Sequence, residues 1–418
     1  MLGEIITIGN ELTSGRTLDL NSWYAAQRLT SSGLHVTRIT SVGDDFDTLS
    51  EVLMKAVETS GFVIVTGGLG STDDDLTNEI VAKVLNRPLT VDRQMFGFIK
   101  SRAEVMGIEM TPSLEKMAWV PEGSRILNPE GGACGCYIKE NETHLYFLPG
   151  VPDQMSALID NFVLSELLSL SDTFHVVRQR TLKLYGLNET SIAEIFNRHR
   201  GKTGDVVLGF YPNFPENHIT ISLKGKNEAI VEKELDRVEK EIRLLVGNYI
   251  FATGNQNMED MVGRILMETK MTLSIAESCT GGLIGHMITN AQGSSGYFKG
   301  GIIAYSDQAK IDLLHVHPTT LEANGAVSDA TVREMAIGVK EKMNTDFGLA
   351  VTGIAGPAGG NREKPVGTVH LGLVARNKIF SEKYRFWGNR KQIKLNTAMM
   401  VLDWVRRYLN GNSFLPGI

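Results

Sequence analysis

Apolar residues recur along the first 165 positions in short runs that alternate with segments of helical spacing. Strands are predicted at residues 4–8, 35–42, 62–65 and 145–148, and helices at residues 20–29, 49–57, 79–85 and 153–168. Such alternation is typical of a parallel sheet with helices packed on its faces. The first part of the chain is therefore predicted to be an α/β domain.

Two further regions follow this domain. Residues 171–250 contain a strand, a short helix, a second strand and a highly charged helix, which predicts a small α+β module. Beyond a polar linker at residues 254–259, helices and strands alternate again, and an amphipathic helix closes the chain at residues 392–409. Because 418 residues exceed one ordinary core, the predicted domains are 1–168, 171–252 and 256–411.

Composition and charge narrow the possible functions. Hydrophobic residues make up 42% and charged residues 22%, as in folded globular proteins. The net charge of -6 does not favour binding to nucleic acid or to an anionic membrane. The N-terminus has no basic leader region, and no apolar run approaches the roughly 20 residues that span a bilayer. These features predict a cytoplasmic protein that binds neither membrane nor nucleic acid directly.

The cysteines add little chemistry. Only Cys134, Cys136 and Cys279 are present, and so sparse and odd a count predicts reducing surroundings without a disulfide framework. Cys134 and Cys136 could form half of a zinc site. No second pair of cysteine or histidine ligands accompanies them, however, and a closed zinc site needs four ligands.

A glycine-rich loop at residues 67–70 follows the apolar strand 62–65. Ligands bind beyond the carboxyl ends of strands in open parallel sheets, and glycines let backbone N–H groups approach phosphate oxygens. The carboxylates of Asp73, Asp74 and Asp75 would repel phosphate unless a divalent metal lay between them. The alternative is a glycine turn followed by an acidic helix cap.

A second loop, residues 9–16, follows the first predicted strand at the same sheet edge. It could turn Glu11, Arg16, Asp19 and Asn21 towards the glycine loop, although ordinary surface-loop chemistry is an equal alternative. The candidate ligand-binding residues of this first site are Gly67, Gly68, Gly70, Thr72, Glu11, Arg16 and Asn21, with Asp74 and Asp75 as the candidate metal ligands.

A candidate nucleophile, Ser278, lies between the strand at 273–276 and a helix that starts near residue 283. A serine at such a turn has an exposed hydroxyl, and the helix N-terminus could bind a charged group. The G-x-S-x-G pattern of α/β-hydrolases is absent, and a lone serine here would more often cap the helix. Cys279 is the alternative nucleophile, but no histidine lies nearby in the sequence.

Tyr305 and Lys310 follow the next apolar strand and supply a candidate base. A serine nucleophile without histidine needs a neutral lysine, a tyrosinate or both to take its proton, and burial could lower the pKa of Lys310 accordingly. The alternative makes Tyr305 a core-edge residue and Lys310 a solvated charge.

A third loop, rich in glycine, follows the strand at 347–351, and Arg390 is a candidate phosphate ligand. The candidate substrate-binding residues of this second site are Thr280, Gly281, Gly282, Thr352, Gly353, Gly356, Gly359, Gly360 and Arg390.

These motifs carry a family resemblance. The GNELTSGR stretch, the TGGLG–DDLT loop and the LPGVP turn resemble the molybdopterin-binding-like, three-layer domain that opens the CinA (competence/damage-inducible protein A) family. Ser71 departs from the family's common proline, and residues 133–136 depart from APGF. The resemblance implies hydrolysis of ADP-ribose to AMP and ribose 5-phosphate, with Mg²⁺ or Co²⁺ as the metal and K⁺ as a further candidate cofactor.

The last 150 residues resemble the CinA C-terminal α/β amidase domain, also known alone as nicotinamide mononucleotide deamidase. AESCTGG, AYSDQAK, GIAGP-x-GG, KPVGTV and G-x-R occur in the family's order. The resemblance assigns Ser278, Tyr305 and Lys310 to catalysis and implies conversion of nicotinamide mononucleotide to nicotinate mononucleotide and ammonia without a cofactor. Thr352 replaces a common serine, and Trp387-Gly388-Asn389 replaces PGD.

The middle module resembles the KH-type domain of longer CinA proteins. Residues 201–204 have GXXG spacing around Lys202 but no clear KH context, so we expect an assembly module rather than an RNA clamp. The resemblance also implies a homodimer. A competing interpretation is a molybdopterin-like ligand-binding protein, or an accessory of competence or DNA repair, that lacks N-terminal catalysis.

Overall fold

The structure is a computed structural model that describes residues 1–72, 74–128, 135–170, 176–197 and 204–415. The chain separates into two compact units, one of Met1–Arg178 with Leu223–Lys233 and one of Gln179–Ser222 with Glu234–Ile418. Within the described part of the chain, every helix is too short or too polar to cross a membrane.

The first unit contains a six-stranded sheet in the order β2-β1-β3-β8-β7-β6 and a separate β4–β5 pair. Its strands are β1 (Leu2–Ile8), β2 (His35–Val42), β3 (Phe62–Thr66), β4 (Leu89–Val91), β5 (Trp119–Pro121), β6 (Arg125–Ile126), β7 (Cys136–Glu140) and β8 (Thr143–Leu148). Its helices are α1 (Asn10–Thr13), α2 (Leu20–Ser31), α3 (Phe46–Thr59), α4 (Thr77–Val84), α5 (Arg93–Met106), α6 (Pro112–Lys116), α7 (Pro152–Leu158) and α8 (Leu164–Ser169), the last two joined by a π-helical turn at Ile159–Val163.

Alternate residues of these strands enter two cores on opposite faces of the sheet. Ile6 and Val65 pack with Leu53 of α3, whereas Ile5 and Ile64 pack with Leu29 of α2. Side chains of a strand point alternately to its two faces, so this burial produces helix, sheet and helix layers. The predicted three-layer arrangement follows from this alternation.

The prediction of a parallel sheet holds for β2, β1, β3 and β8, which pair in parallel. It is wrong for β7 and β6, which are antiparallel to their neighbours. Two residues, Asn141 and Glu142, join β7 to β8. So short a connection can only reverse the chain, because a parallel crossover needs a dozen residues or more.

The middle module forms a four-stranded sheet in the order β10-β11-β9-β12. Its elements are β9 (Val176–Leu184), α9 (Glu189–Asn197), β10 (Val207–Asn213), β11 (Glu216–Gly225), α10 (Glu228–Val246), a 3-10 turn (Gly247–Tyr249) and β12 (Ile250–Thr253). The sequence predicted β9, α9, β11 and α10 but not the two edge strands. Lys202, within the GXXG-like segment, lies outside the described residues.

The C-terminal region holds a five-stranded sheet in the order β14-β13-β15-β16-β17. Its elements are α11 (Met258–Thr269), β13 (Leu273–Glu277), α12 (Leu283–Asn290), a 3-10 turn (Ser294–Gly296), β14 (Phe298–Ile303), α13 (Asp307–Leu314), α14 (Pro318–Asn324), α15 (Asp329–Met343), β15 (Phe347–Gly353), β16 (Thr368–Ala375), β17 (Lys378–Arg385) and α16 (Arg390–Leu409). Strands β14, β13 and β15 are parallel, and β16 and β17 are antiparallel.

This sheet also separates two cores. Leu349 and Val351 of β15 pack on the side of α11 and α16, where Trp404 is buried, and Ala350 packs on the side of α15. Tyr185 and Phe251 of the middle module belong to the first of these cores. The middle module and the C-terminal sheet therefore share apolar packing within the second unit.

Candidate functional sites

The glycine loop at 67–70 borders a cavity of about 650 Å³ at the carboxyl edge of the first sheet. Glycines, carboxylates and an apolar wall contributed mainly by α5 surround the cavity. The lining residues that carry polar or charged side chains are Glu11, Asp44, Asp74, Asp75, Arg102 and Gln154, and the apolar wall includes Met95, Phe98, Ile99, Met106, Leu114 and Met117. The cavity thus has an acidic end and an apolar end.

The glycines of this loop are required by close packing. Gly67 has a φ of +112°, and a Cβ there would lie 2.3 Å from the carbonyl oxygen of Ile8. A Cβ at Gly70 would lie 2.4 Å from Oδ2 of Asp75. Larger residues would therefore push the loop away from the end of β1 and from its own acidic turn.

The carboxylates at the acidic end repel one another. Burial raises the pKa of Asp44, and the nearby charges of Asp74, Glu11 and Asp75 raise it further. Oδ2 of Asp75 accepts hydrogen bonds from the backbone N–H of Thr72 at 2.9 Å and from its hydroxyl at 2.6 Å. Thr72 and Asp75 therefore close the loop upon itself.

A metal at this site could be held by protein side chains alone or by one or two carboxylates together with substrate phosphates. Among the described residues, which leave out Asp73, no three histidine, cysteine, aspartate or glutamate side chains lie close enough to hold a metal by themselves. Mg²⁺ commonly uses one or two carboxylates together with substrate phosphates. Asp74 and Asp75 suit that second mode.

Glu11 lines the cavity as predicted from the loop at 9–16, but two other candidates do not. Arg16 is exposed and is not among the described lining residues. The Asn21 side chain donates to Oγ1 of Thr66 at 3.0 Å and to the carbonyl of Gly150 at 2.8 Å. Asn21 therefore braces two segments of the sheet edge.

The second site is built on the turn between β13 and α12, where Ser278 follows Glu277. The buried Glu277 carboxylate accepts the N–H groups of Gly282 at 2.9 Å, Ile284 at 3.2 Å and Gly285 at 2.8 Å. The N–H of Gly281 bonds to the Ser278 carbonyl. Glu277 and the Ser278 carbonyl therefore already use four N–H groups at the start of this helix, and binding of a charged ligand group there stays a prediction.

Lys310 is buried beside this turn, with a relative exposure of 1%. Its Nζ donates to the carbonyl of Ala304 at 3.1 Å, and the N–H of Ala304 in turn donates to the carbonyl of Glu277. Burial lowers the pKa of Lys310, although Asp307, 3.8 Å away, opposes the shift. Lys310 therefore lies near the ends of β13 and β14, the two adjacent strands that precede Ser278 and Tyr305. In the described structure it makes no direct hydrogen bond to the Ser278 hydroxyl.

Tyr305 is exposed and is joined to Arg390. Nη2 of Arg390 donates to the Tyr305 hydroxyl at 3.0 Å, and Nη1 donates to the carbonyl of Gly356 at 2.6 Å. The guanidinium thus connects Tyr305 with the third glycine loop, and two of its donors are in use.

The third loop is held by its own backbone. Gly356 has a φ of +76°, and a Cβ at Gly360 would lie 2.6 Å from the backbone nitrogen of Val366. At the base of the loop, the Thr352 hydroxyl donates to the carbonyl of Ala326 at 2.8 Å. Gly353 is close to the carbonyl of Thr368, and Gly359 is exposed with a φ of +90°. Packing alone therefore explains several glycines that the sequence assigned to ligand approach.

Cys279 cannot serve as a ready nucleophile. It is buried, and burial raises the pKa of its thiol to about 12. A thiol that stays protonated near neutral pH is a poor nucleophile. Cys136 is a buried free thiol of similarly raised pKa, and Cys134 lies outside the described residues.

Three family models match the chain along its length. They are the probable molybdopterin binding domain at residues 4–169, the damage-inducible protein CinA KH domain at 179–252 and the CinA C-terminal domain at 255–409. A CinA-like protein of Desulfotalea psychrophila is 38% identical over 407 residues, covering 97% of this chain and 98% of that protein. The chain belongs to the CinA family.

Other CinA relatives have similar names. A putative competence-damage inducible protein of Thermoanaerobacter pseudethanolicus is 37% identical over 414 residues, covering 98% of this chain and 99% of its own. The crystal structure of the competence/damage inducible protein CihA from Agrobacterium tumefaciens is 38% identical over 37% of this chain and 97% of its own, with a TM-score of 0.35. The family matches confirm the predicted fold class of molybdopterin-binding-like, KH-like and CinA C-terminal domains.

The sequence departures from the common CinA pattern have identifiable local effects. Asn389 caps α16 by accepting the N–H of Gln392 at 3.0 Å, so the helix start is retained without aspartate. Trp387 is 70% exposed, and the guanidinium carbon of Arg385 lies 4.2 Å from the centre of its ring. The Thr352 hydroxyl is satisfied within the protein.

Sequence reasoning missed three polar residues at these sites. Asp44 follows β2 at the same sheet edge as Glu11, a position that strand order alone could have indicated. His370 is buried opposite Thr352 in the β15–β16 pairing, and burial lowers its pKa to about 4. Lys394 lies one helical turn after Arg390, on the same face of α16.

Proposed function

We propose that this CinA-family protein hydrolyses the carboxamide of nicotinamide mononucleotide at its C-terminal site. This proposal rests mainly on Lys310, which is buried near the end of strand β14 and whose pKa is lowered by that burial. Strand β14 pairs with β13, the strand that precedes Ser278. A lysine of lowered pKa can be neutral and accept a proton, which a solvated lysine does poorly at neutral pH. The buried His370 is a second potential base at this site, but the family motif that contains Ser278 and Tyr305 also contains Lys310.

In the proposed reaction, the Ser278 oxygen attacks the carboxamide carbon, and its proton passes to Nζ of Lys310. The C–N bond then breaks, ammonia leaves with that proton, and water hydrolyses the acyl ester to release nicotinate mononucleotide and free serine. Tyr305 relays the proton or orients the substrate, and Arg390 positions the Tyr305 hydroxyl through their 3.0 Å hydrogen bond. No cofactor enters this scheme.

For the N-terminal site we propose metal-assisted cleavage of ADP-ribose to AMP and ribose 5-phosphate. Asp74 and Asp75 would hold a divalent metal, Mg²⁺ or Co²⁺, which supplies charge neutralisation for the pyrophosphate when bound. The loop of Gly67, Gly68 and Gly70 borders the space for the phosphates, and Glu11 and Asp44 line the same acidic end. We also propose K⁺ as a further cofactor of this site. The protein is proposed to be cytoplasmic and to form a homodimer.

A second candidate function for the N-terminal cavity is ligand binding without catalysis. It is favoured by the engagement of Asp75 with Thr72 and by the lack of a self-sufficient metal cluster among the described residues. In that case a molybdopterin-like or nucleotide ligand would remain intact. The two candidates differ in whether AMP is released.

Product release by the full chain and by its variants tests the proposal. Ser278→Ala should stop ammonia release from nicotinamide mononucleotide, whereas the matched control Cys279→Ala should retain it, because the Cys279 thiol stays protonated. A chelator should stop AMP release from ADP-ribose and leave deamidation unchanged. Full deamidation by Ser278→Ala would exclude Ser278 as the nucleophile. AMP release in the presence of the chelator would exclude a metal role at the N-terminal site.

A further inference from the structure

Four backbone N–H groups at the start of α12 are already used within the protein. The N–H groups of Gly282, Ile284 and Gly285 donate to Glu277, and that of Gly281 donates to the Ser278 carbonyl. An anion placed there would also meet the Glu277 carboxylate. The usual anion site at a helix start is therefore closed in α12.

Lys394 of α16 lies near this turn. Its Nζ lies 3.7 Å from the position that a Cβ on Gly281 would occupy. Lys394 is half-buried, and in the described structure it makes no hydrogen bond or ion pair. An ammonium group close to a glycine turn and without a protein partner can still neutralise a ligand anion.

Arg390 is less suited to that task, although it lies on the same face of α16. Two of its donors already bind Gly356 and Tyr305. The charges of Lys394 and Arg390 both counteract the rise in the pKa of Cys279, which supports the placement of both cations near the turn. Arg390 therefore organises Tyr305, and Lys394 remains available.

We propose that Lys394 binds the phosphate monoester of the mononucleotide and so distinguishes the nucleotide from the phosphate-free nucleoside. Gly281, with a φ of +59°, keeps the space beneath the ammonium open, because any side chain there would fill it. This assignment rests on the proposed deamidase function and identifies a specificity-determining residue outside the catalytic group.

The test compares two substrates of the full chain, nicotinamide mononucleotide and nicotinamide riboside, which differ only in the phosphate. Lys394→Ala should raise KM for the nucleotide by about 10- to 100-fold, the usual range for one charge-assisted hydrogen bond, with kcat nearly unchanged. It should change kcat/KM for the riboside far less, so that discrimination between the two substrates collapses. Lys394→Arg should restore most of the discrimination.

Lys391→Ala is the matched control, because Lys391 is exposed on the same helical turn and its loss removes the same charge. It should leave KM for both substrates unchanged. Equal losses for nucleotide and riboside in Lys394→Ala would indicate a structural role and overturn the proposal, as would unchanged discrimination.

A binding measurement separates this inference from the proposed function. Calorimetric titration of nicotinamide mononucleotide into Ser278→Ala and into Ser278→Ala/Lys394→Ala should show weaker binding only in the double variant. If the wild-type chain releases no ammonia, the deamidase proposal fails, yet this titration still tests Lys394. Equal affinity of the two variants, or no binding by either, would overturn the phosphate assignment.

Discussion

The two candidate sites use the same backbone arrangement and opposite charges. Each lies at the carboxyl edge of a sheet beside glycines of positive φ, such as Gly67 and Gly281. The N-terminal cavity is lined by Glu11, Asp44, Asp74 and Asp75, whereas Lys310, Arg390 and Lys394 surround the C-terminal turn. Glycine turns show where a ligand can approach, and the neighbouring charges determine which chemistry can follow.

Glu277 makes this contrast sharper. It is a carboxylate within a site otherwise rich in cations, yet its hydrogen bonds are directed into α12. Its negative charge is thereby balanced by the helix N-terminus and not by the substrate. A carboxylate beside a glycine loop is therefore not by itself evidence for a metal or a general base.

The largest expected effect concerns Lys310. Lys310→Arg should reduce kcat for deamidation by roughly 10³-fold or more, because a guanidinium does not lose its proton in proteins. In the wild type, the rate should rise with pH through the lowered pKa of Lys310, since only the neutral amine accepts the serine proton. Measurement of kcat/KM against pH checks both statements, and an active Lys310→Arg enzyme would contradict the assignment.

The second effect is on stability. Glu277→Ala should lower the free energy of unfolding by about 3 kcal/mol, because it leaves buried N–H groups of α12 without their acceptor. Glu277→Gln should lose less, since one amide oxygen can still accept. Urea unfolding measures these differences, and replacement of the exposed Glu268 of α11 by alanine is the control. Equal stability of Glu277→Ala and wild type would disprove the helix-capping role.

A third effect depends on pH and involves His370. Burial lowers its pKa from 6.5 to about 4, so the folded state resists protonation that the unfolded chain accepts. The neutral His370 side chain contributes fully to stability above pH 6.5, and this contribution is lost as pH falls through about 4. At pH 4.5 the free energy of unfolding should be lower than at neutral pH by about 2–3 kcal/mol because of this group.

His370→Phe should remove that part of the pH dependence, whereas His286→Gln, at an exposed position of α12, should not. Urea titrations at pH 7 and 4.5 make the comparison. An unchanged pH dependence in His370→Phe would show that other groups cause the acid sensitivity.

The smallest effect tests the acidic cavity. Asp44→Asn should raise the metal concentration needed for half-maximal ADP-ribose cleavage by about 10-fold, because it removes one of the charges around the metal position. Asp153→Asn, on α7 and outside the described cavity lining, is the control. A metal requirement that is the same in both variants would exclude Asp44 from the site.

The sequence was sufficient to predict the main strands, helices and glycine loops, because their hydrophobic periodicity and turn residues are local. It could not predict the hydrogen-bond partners of Asn21 or Thr352, because these partners lie far away in the chain. His370 reaches the second site only through strand pairing with β15. These features depend on tertiary contacts that periodicity does not encode.

The same limitation applies to the middle module. The sequence predicted an assembly module at residues 171–252, but it gave no indication that Tyr185 and Phe251 would be buried in the core of the C-terminal sheet. Arg406 and Arg407 of α16 both donate to the carbonyl of Asn248. A fragment that starts at residue 256 would lose these contacts, so variants of the full chain compare the two sites more directly.

We propose that one chain carries two separate hydrolytic sites of opposite charge. The most direct test of this proposal incubates the full chain with nicotinamide mononucleotide and ADP-ribose together and measures ammonia and AMP. We expect Ser278→Ala to lose ammonia release alone and Asp74→Asn to lose AMP release alone. If either variant lost both products, or if both variants still released both products, the proposal of two separate sites would be contradicted.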